Sequence, residues 1–330
     1  MINPDKVLWN TKKCYRRPVI PSCDHYAGNE SFIKKATEKQ QKLGPIFDIT
    51  LDCDDGSVVD QERQQVELFI KIINDSSVNK FSRIGVRVHS PDSNFFEHEV
   101  ESLIKHSGSK LSYITIPKVG THSEFAKALS WIDELVTKHL DDRKIPIHPI
   151  VETLESVEDV FSIAAEPSVE CISFGIMDFV SSFGTLIPDS TMKSPDQFTH
   201  PSVVSAKKSI VAACAAHQRV ASHNVTIKIN DEDIVLQDAN RARYFGFTRM
   251  WSIHPSQIEP IIRAMTPCRE LISYASDILI MAYNNHWGPV KDANDELKDR
   301  ASYRYYWQIL KLAQSMNIDM PDGVKVFFDS

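Results

Sequence analysis

Residues 149–178 read PIVETLESVEDVFSIAAEPSVECISFGIMD: an apolar run, a helical stretch of mixed charge, then a second apolar run. The first run, Pro149-Ile150-Val151-Glu152-Thr153, and the second, Ser173-Phe174-Gly175-Ile176-Met177-Asp178, are β-prone and each carries a single carboxylate at its end. Taken as strand, helix, strand, the stretch is a parallel crossover unit. Glu152 and Asp178 then emerge side by side at the C-terminal edge of the sheet. Two hard oxygen ligands at such an edge, with room left for substrate oxygens, describe an open Mg²⁺ site.

The same alternation extends in both directions. Apolar, β-branched runs fall at 18–23, 46–52, 84–89, 113–119, 145–153, 171–178, 224–229 and 250–254. Helical stretches of mixed charge separate most of them, at 30–43, 61–73, 124–139, 157–165 and 201–217. Strands alternating with helices in this number predict a (β/α)₈ TIM barrel before an open sheet. The dinucleotide fingerprint G-x-G-x-x-G is absent, and only 11 glycines are present, so no phosphate-cradling loop favours a Rossmann sheet. Residues 184–200 are rich in Pro, Ser, Thr and Asp and would form a long loop on the catalytic face. Beyond His254-Pro255 the pattern changes to helix at 260–282, irregular chain at 286–294 and an aromatic-rich helix at 297–316. The expected organisation is a barrel domain over 1–260 and a C-terminal helical extension over 261–330, serving as a lid or subunit contact.

Bulk properties exclude several classes. The 330 residues are 42% hydrophobic and 25% charged, an ordinary globular composition. A formal charge of −7 opposes general nucleic-acid binding, which needs concentrated Lys and Arg. No apolar run reaches the roughly 20 residues of a membrane span. The basic N-terminus lacks the apolar core of a secretory signal. Cys14, Cys23, Cys53, Cys171, Cys214 and Cys268 lie far apart with no C-x-x-C pair, which reads as reduced thiols in a cytoplasmic protein.

Catalytic groups of a parallel barrel stand at the C-terminal ends of its strands. Those ends supply Asp52-Cys53-Asp54-Asp55, Arg87, Lys118, Glu152, Asp178 and His254. An isolated Asp after a strand is usually a turn or a helix cap, and an isolated Arg a surface ion pair. Together, acidic groups with one Arg and one Lys suit a metal bound beside an anionic substrate.

The segments ITLDCDDGSV, RIGVRVHS, YITIPKVG, PIVETLESV, SFGIMDFVSSFG and ANRARYFGFTRMWSIHPSQI, in this order, resemble the HpcH/HpaI aldolase and citrate lyase β-subunit family. The resemblance runs from about Pro18 to Gln257. It implies Mg²⁺-dependent carbon–carbon lyase chemistry, with Mn²⁺ a possible substitute. Glu152 and Asp178 then match the metal ligands. Arg87 matches the residue that holds the substrate carboxylate and the developing enolate oxygen. Asp54 and Asp55 match an acidic pair near the reacting group, either of which would take the hydroxyl proton. Asp52 reads as a structural partner, Glu155 as a weaker candidate, and Asp299 as similar to a lid carboxylate that a neighbouring subunit can contribute. Lys118 is read as an electrostatic, substrate-facing group instead of a Schiff base, and His254 as a structural hydrogen bonder. The implied substrate is a keto or hydroxy acid or an acyl-CoA, and the implied assembly a trimer or hexamer. Departures fall at Pro21-Ser22-Cys23, Gly120, His223 and Arg249-Met250, and they put a CoA thioester in doubt.

Two other readings compete. Asp52-Cys53-Asp54 followed by Gly56-Ser57 resembles the D-x-D motif of haloacid-dehalogenase-like phosphatases, with Asp52 as nucleophile. That fold also needs a later acidic pair, and Asp141-Asp142 precedes a strand instead of following one. The second is a non-catalytic member of the lyase family that binds a metabolite or a protein.

Overall fold

The computed structural model describes residues 3–9, 18–56, 61–141, 143–316 and 318–328; Cys14, Ser57 and Asp142 lie outside the described residues. The chain divides into two compact units, one of residues 20–265 and one joining the N-terminal residues to those from 266 onward. The expected boundary after residue 260 falls inside the helix Ile258–Met265.

The first unit is a closed barrel of eight parallel strands in sequential order. They are β1 Cys23–Ala27, β2 Asp48–Asp52, β3 Ile84–Arg87, β4 Ile114–Ile116, β5 Ile147–Val151, β6 Cys171–Phe174, β7 Val220–His223 and β8 Arg249–Ser252. Closure comes from β1 pairing with β8, with Cys23 opposite Met250 and His25 opposite Ser252. Outward-facing Ile49, Leu51, Val86 and Ile116 cluster with Val66, Phe69, Val100 and Phe125 of the surrounding helices. Each such burial contributes about 1.5–3 kcal/mol. Local signals start the helices where expected. Thr121 and Glu124 form a capping box for His122–His139, and Pro201 opens the helix Pro201–His217.

The strands are mostly shorter than the apolar runs, and three differences bear on the site. β1 begins at Cys23, not at residue 18, because Pro18 and Pro21 have no N–H to give a ladder. β6 stops at Phe174, and Asp178 sits in the first turn of the helix Ile176–Ser182. β7 is Val220–His223, while residues 224–229, which alternate like a strand, form a loop. Side chains claim that loop's polar groups. Gln257 Nε2 donates to the Thr226 carbonyl at 2.7 Å, and Thr226 Oγ1 donates to Asp238 at 2.9 Å.

Barrel interiors are usually filled by branched aliphatic residues. Here the lower interior is polar. Arg249, at the start of β8 and 1% exposed, pairs with Asp24 at 2.9 Å and Asp48 at 2.6 Å. Asp24 also accepts from Thr50 at 2.7 Å and Tyr113 at 3.1 Å, and Tyr113 stacks on His148 at 4.1 Å. These contacts account for Arg249, whose departure from the family pattern put a CoA thioester in doubt. Arg249 is spent on buried carboxylates at the N-terminal end of its strand.

The second unit packs the short helix Pro4–Leu8 with the tail helices Arg269–Asn284 and Arg300–Ser315. Trp307 Nε1 donates to Asp5 at 2.9 Å and Arg304 Nε to the Leu8 carbonyl at 2.8 Å. A two-residue-per-strand hairpin, β9 Val290–Lys291 with β10 Leu297–Lys298, precedes the last long helix. Among the described residues no helix is long and apolar enough to cross a membrane.

Candidate active site

β2 and β3 pair so that Asp52 lies opposite Arg87. Arg87 is 7% exposed and donates from Nε at 2.6 Å and Nη2 at 2.7 Å to the two oxygens of Asp52. The Asp52 carboxylate also accepts the backbone N–H groups of Asp54 and Gly56, both at 3.1 Å. That carboxylate is a clamp: it orients the guanidinium and folds the 53–56 turn. Arg87 Nη1 remains, facing Asp54 at 3.8 Å and Asp55 at 3.7 Å. Burial disfavours the cation, but Asp52 outweighs it and holds Arg87 firmly protonated.

Lys118 follows β4 with φ of 49°, in the left-handed region that β-carbons disfavour. This twist sends its backbone N–H to Glu152 Oε1 at 2.6 Å and its Nζ to Asp54 at 2.7 Å and Asp55 at 3.2 Å. Burial would lower its pKa, but the Asp54 hydrogen bond and charge raise it above the ordinary lysine value. A Schiff-base lysine needs the opposite shift, so the electrostatic reading of Lys118 fits its surroundings.

Glu152 ends β5, 2% exposed, and lies against Gly175. A β-carbon at 175 would fall 1.9 Å from Glu152 Oε2, so the position admits only glycine without a shift of the carboxylate. Burial, then the nearby Asp178 charge, push the Glu152 pKa up to about 8 despite Arg87. Asp178, half-buried, is also raised: burial acts first, Lys118 opposes it, and Asp55 and Asp54 add to it. Two neighbouring carboxylates whose pKa values are both raised present what a divalent cation relieves. No group of three or more His, Cys, Asp and Glu among the described residues is arranged to hold a metal. A pair completed by substrate and water is nevertheless the ordinary Mg²⁺ arrangement.

Asp55, Arg87, Glu152 and Asp178 line one side of a cavity of about 250 Å³ at the C-terminal end of the barrel. Asp55 is exposed, whereas Asp54 lies below, tied to Lys118. Asp299 belongs to the second unit, where its carboxylate accepts from Ala301 N at 2.9 Å and Ser302 N at 3.3 Å and caps Arg300–Ser315. Glu155 lies in the helix Leu154–Glu158. His254 accepts from Ser256 N at 3.3 Å and caps the turn after β8, a structural role.

The other side of the cavity carries Tyr26, Asn224 and Trp251, which the sequence reading missed. With β1 displaced, Tyr26 was not at a strand end, and with β7 displaced neither was Asn224. Trp251 was readable: it lies two residues before Ile253, and alternate residues of a strand share a face.

A closed parallel barrel with acidic side chains and an arginine at its C-terminal mouth defines a (β/α)₈ enzyme. The HpcH/HpaI aldolase/citrate lyase family matches over residues 48–255. The chain belongs to that family, and so to the carbon–carbon lyases. A crystal structure described as a citrate lyase from Burkholderia xenovorans LB400 is 42% identical, covering 99% of this chain and 100% of that one, with TM-score 0.90. L-malyl-CoA/beta-methylmalyl-CoA lyase of Cereibacter sphaeroides is 26% identical over 70% of this chain and 75% of its own. Mitochondrial citramalyl-CoA lyase of Rattus norvegicus is 28% identical over 84% and 79%. The phosphatase alternative is overturned: the sheet is a closed barrel, and both Asp52 oxygens are committed to Arg87. Family membership among lyases also speaks against a non-catalytic binder.

Proposed function

We propose that the protein is a Mg²⁺-dependent lyase that cleaves a hydroxy or keto acid, or its CoA thioester, by a retro-aldol or retro-Claisen step. The observation that carries this reading is the buried Glu152 beside Asp178, sharing one cavity with Arg87, whose Nη1 is not taken up by Asp52. Glu152 and Asp178 would hold the metal. Mg²⁺ there supplies Lewis-acid stabilisation of the negative charge left on the substrate oxygen, and Mn²⁺ is the expected substitute.

The chain's own groups do the rest. Arg87, locked by Asp52, offers Nη1 to the substrate carboxylate or enolate oxygen. Lys118 pins Asp54 and keeps the acidic turn in place, its charge adding to the pull on an anionic substrate. Asp55, exposed and lining the cavity, is the better placed of the acidic pair to take the hydroxyl proton as the carbon–carbon bond breaks. The bonding electrons pass to the enolate fragment, and the former alcohol carbon leaves as a carbonyl.

A thioester stands on equal footing with a free acid. Two of the departures weigh less against it, since β1 runs Cys23–Ala27, so that Pro21-Ser22-Cys23 does not follow a strand, and Arg249 pairs with Asp24 and Asp48. Cys23 and Cys171, buried thiols outside any disulfide, suit a reducing compartment such as the cytoplasm.

Mg²⁺-dependent release of pyruvate, acetate or oxaloacetate from a panel of hydroxy acids and acyl-CoAs tests the activity. Glu152→Gln is expected to weaken Mg²⁺ binding at least tenfold by calorimetry; unchanged affinity would refute the ligand assignment. The lid role of Asp299 implies a homo-oligomer, trimer or hexamer, that shares its sites. Mixed Glu152→Gln and Asp299→Ala chains, each inactive alone, are then expected to regain activity on reassembly, because some sites receive both intact residues. No recovery in a mixture that light scattering shows to be hetero-assembled would rule out an Asp299 shared between chains.

A further inference from the structure

The charged half of the cavity accounts for Arg87, Asp55, Glu152 and Asp178, but the opposite half has work left to do. β7, β8 and β1 are neighbours in the closed barrel, and each places one polar residue there: Asn224 after β7, Trp251 on β8 and Tyr26 on β1, with apolar Val225 and Ile253 beside them. All three are buried, at 1%, 7% and 6% exposure. Asn224 Oδ1, Trp251 Nε1 and Tyr26 OH have no hydrogen-bond partner among the described residues. Buried polar atoms left unpaired are destabilising, and their gathering around one cavity points to a ligand that pairs them.

Their chemistry is set by their neighbours. Gln197 Nε2 faces the Asp238 carboxylate at 3.4 Å, and Gln197 Oε1 accepts from Lys207 Nζ at 3.1 Å. With Gln197 so oriented, Asn224 must present Nδ2 to that Oε1, at 3.0 Å, and it also donates to the Val225 carbonyl at 2.9 Å. The unpaired end of Asn224 is therefore the acceptor. Trp251 supplies a donor only. Tyr26 stacks on Trp251 with centroids 4.6 Å apart and lies under the Arg87 guanidinium at 5.4 Å, which fixes both rings.

We propose that Tyr26, Trp251 and Asn224 form a specificity wall that selects a substrate bearing an uncharged hydroxyl on the fragment facing β7, β8 and β1. One hydroxyl oxygen can accept from the indole N–H or the phenol while donating to Asn224 Oδ1. A methyl group would leave all three atoms unpaired, and a second carboxylate would meet Asn224 Oδ1 as acceptor against acceptor. The wall itself bears no charge to hold such an anion. This inference rests on the lyase reading above and names the class of acid that reading leaves open: a hydroxylated keto or hydroxy acid.

Pyruvate and 3-hydroxypyruvate differ by one hydroxyl and serve as probes. Their dissociation constants are to be measured by calorimetry on the full chain with saturating Mg²⁺. The expected result is 3-hydroxypyruvate bound about tenfold tighter or better. Tyr26→Phe, Trp251→Phe and Asn224→Leu should each drive the ratio of the two constants towards one. Reading the ratio cancels any general weakening of the site. Thermal melting separates the wall from a packing role, since Tyr26→Phe removes an unpaired hydroxyl and should not lower the midpoint. A wild-type ratio near one, or a ratio unmoved by all three substitutions, overturns the proposal. If pyruvate binds in a manner dependent on Mg²⁺ and Glu152 without preference for its hydroxylated analogue, the wall alone falls. If neither acid binds with Mg²⁺, the proposed Mg²⁺ and keto-acid site at Glu152 and Asp178 falls and the wall with it.

Discussion

Arg87 shows how much of a residue's role is settled by its partner. Its two-point bond to Asp52 consumes Nε and Nη2, so one defined edge of the guanidinium meets the cavity. A lysine at this position would keep the charge but lose the fork and its fixed direction. Arg87→Lys is therefore expected to lower kcat/KM by about 10²-fold or more, with the folded state retained on thermal melting. A drop of less than threefold would mean that Arg87 serves only to hold the 53–56 turn. From sequence, Arg87, Asp54, Asp55 and Lys118 could be picked because charged residues at the ends of apolar runs are unusual. Their division of labour could not, since it rests on distances of 2.6–3.8 Å between residues far apart in the chain.

At the scale of elements, the junction of β6 with the helix Ile176–Ser182 matters most. Gly175 bridges them and gives Glu152 the space its carboxylate occupies. Gly175→Ala places a β-carbon on that oxygen. Overpacking of this kind typically destabilises by about 1–3 kcal/mol. The variant is expected to melt several degrees lower and to bind Mg²⁺ at least tenfold more weakly, both measurable on one preparation. Normal Mg²⁺ affinity would show that Glu152 moves freely and is not preset. The helices were legible because their apolar spacing and caps are local. β1 and β7 were not, because a strand whose inward side chains are Asp24 and Tyr26, or Ser222, lacks the apolar signature that pattern reading seeks.

For the whole molecule, barrel closure creates the buried polar interior and its pH response. His25 on β1 is 1% exposed and shares a hydrogen bond with Ser252 on β8 at 2.9 Å, across the closing seam. Burial lowers its pKa to about 4 in the folded state, against about 6.5 when unfolded. The unfolded chain thus binds the extra proton first as pH falls. The neutral His25 contributes its full stability above pH 6.5 and loses it towards pH 4, up to about 3 kcal/mol. Urea unfolding of His25→Asn should accordingly show a shallower decline of stability over that window than the parent protein. Parallel declines would mean that His25 is hydrated in the folded state.

The alternation of apolar and amphipathic segments, a local property of the chain, sufficed to determine a (β/α)₈ barrel with carboxylates near the ends of β5 and β6. It did so because strand and helix periodicities are written in consecutive residues. Tertiary structure alone decided that Asp52 clamps Arg87, that Arg249 is consumed by Asp24 and Asp48, and that Tyr26, Asn224 and Trp251 share a wall. Those relations join β1 to β8 and β2 to β3 across the closed sheet, and no spacing within a single segment encodes them. Glu152 and Asp178 needed both: sequence placed each carboxylate near a strand end, and the folded barrel buried Glu152 close enough to Asp178 for that charge to raise its pKa.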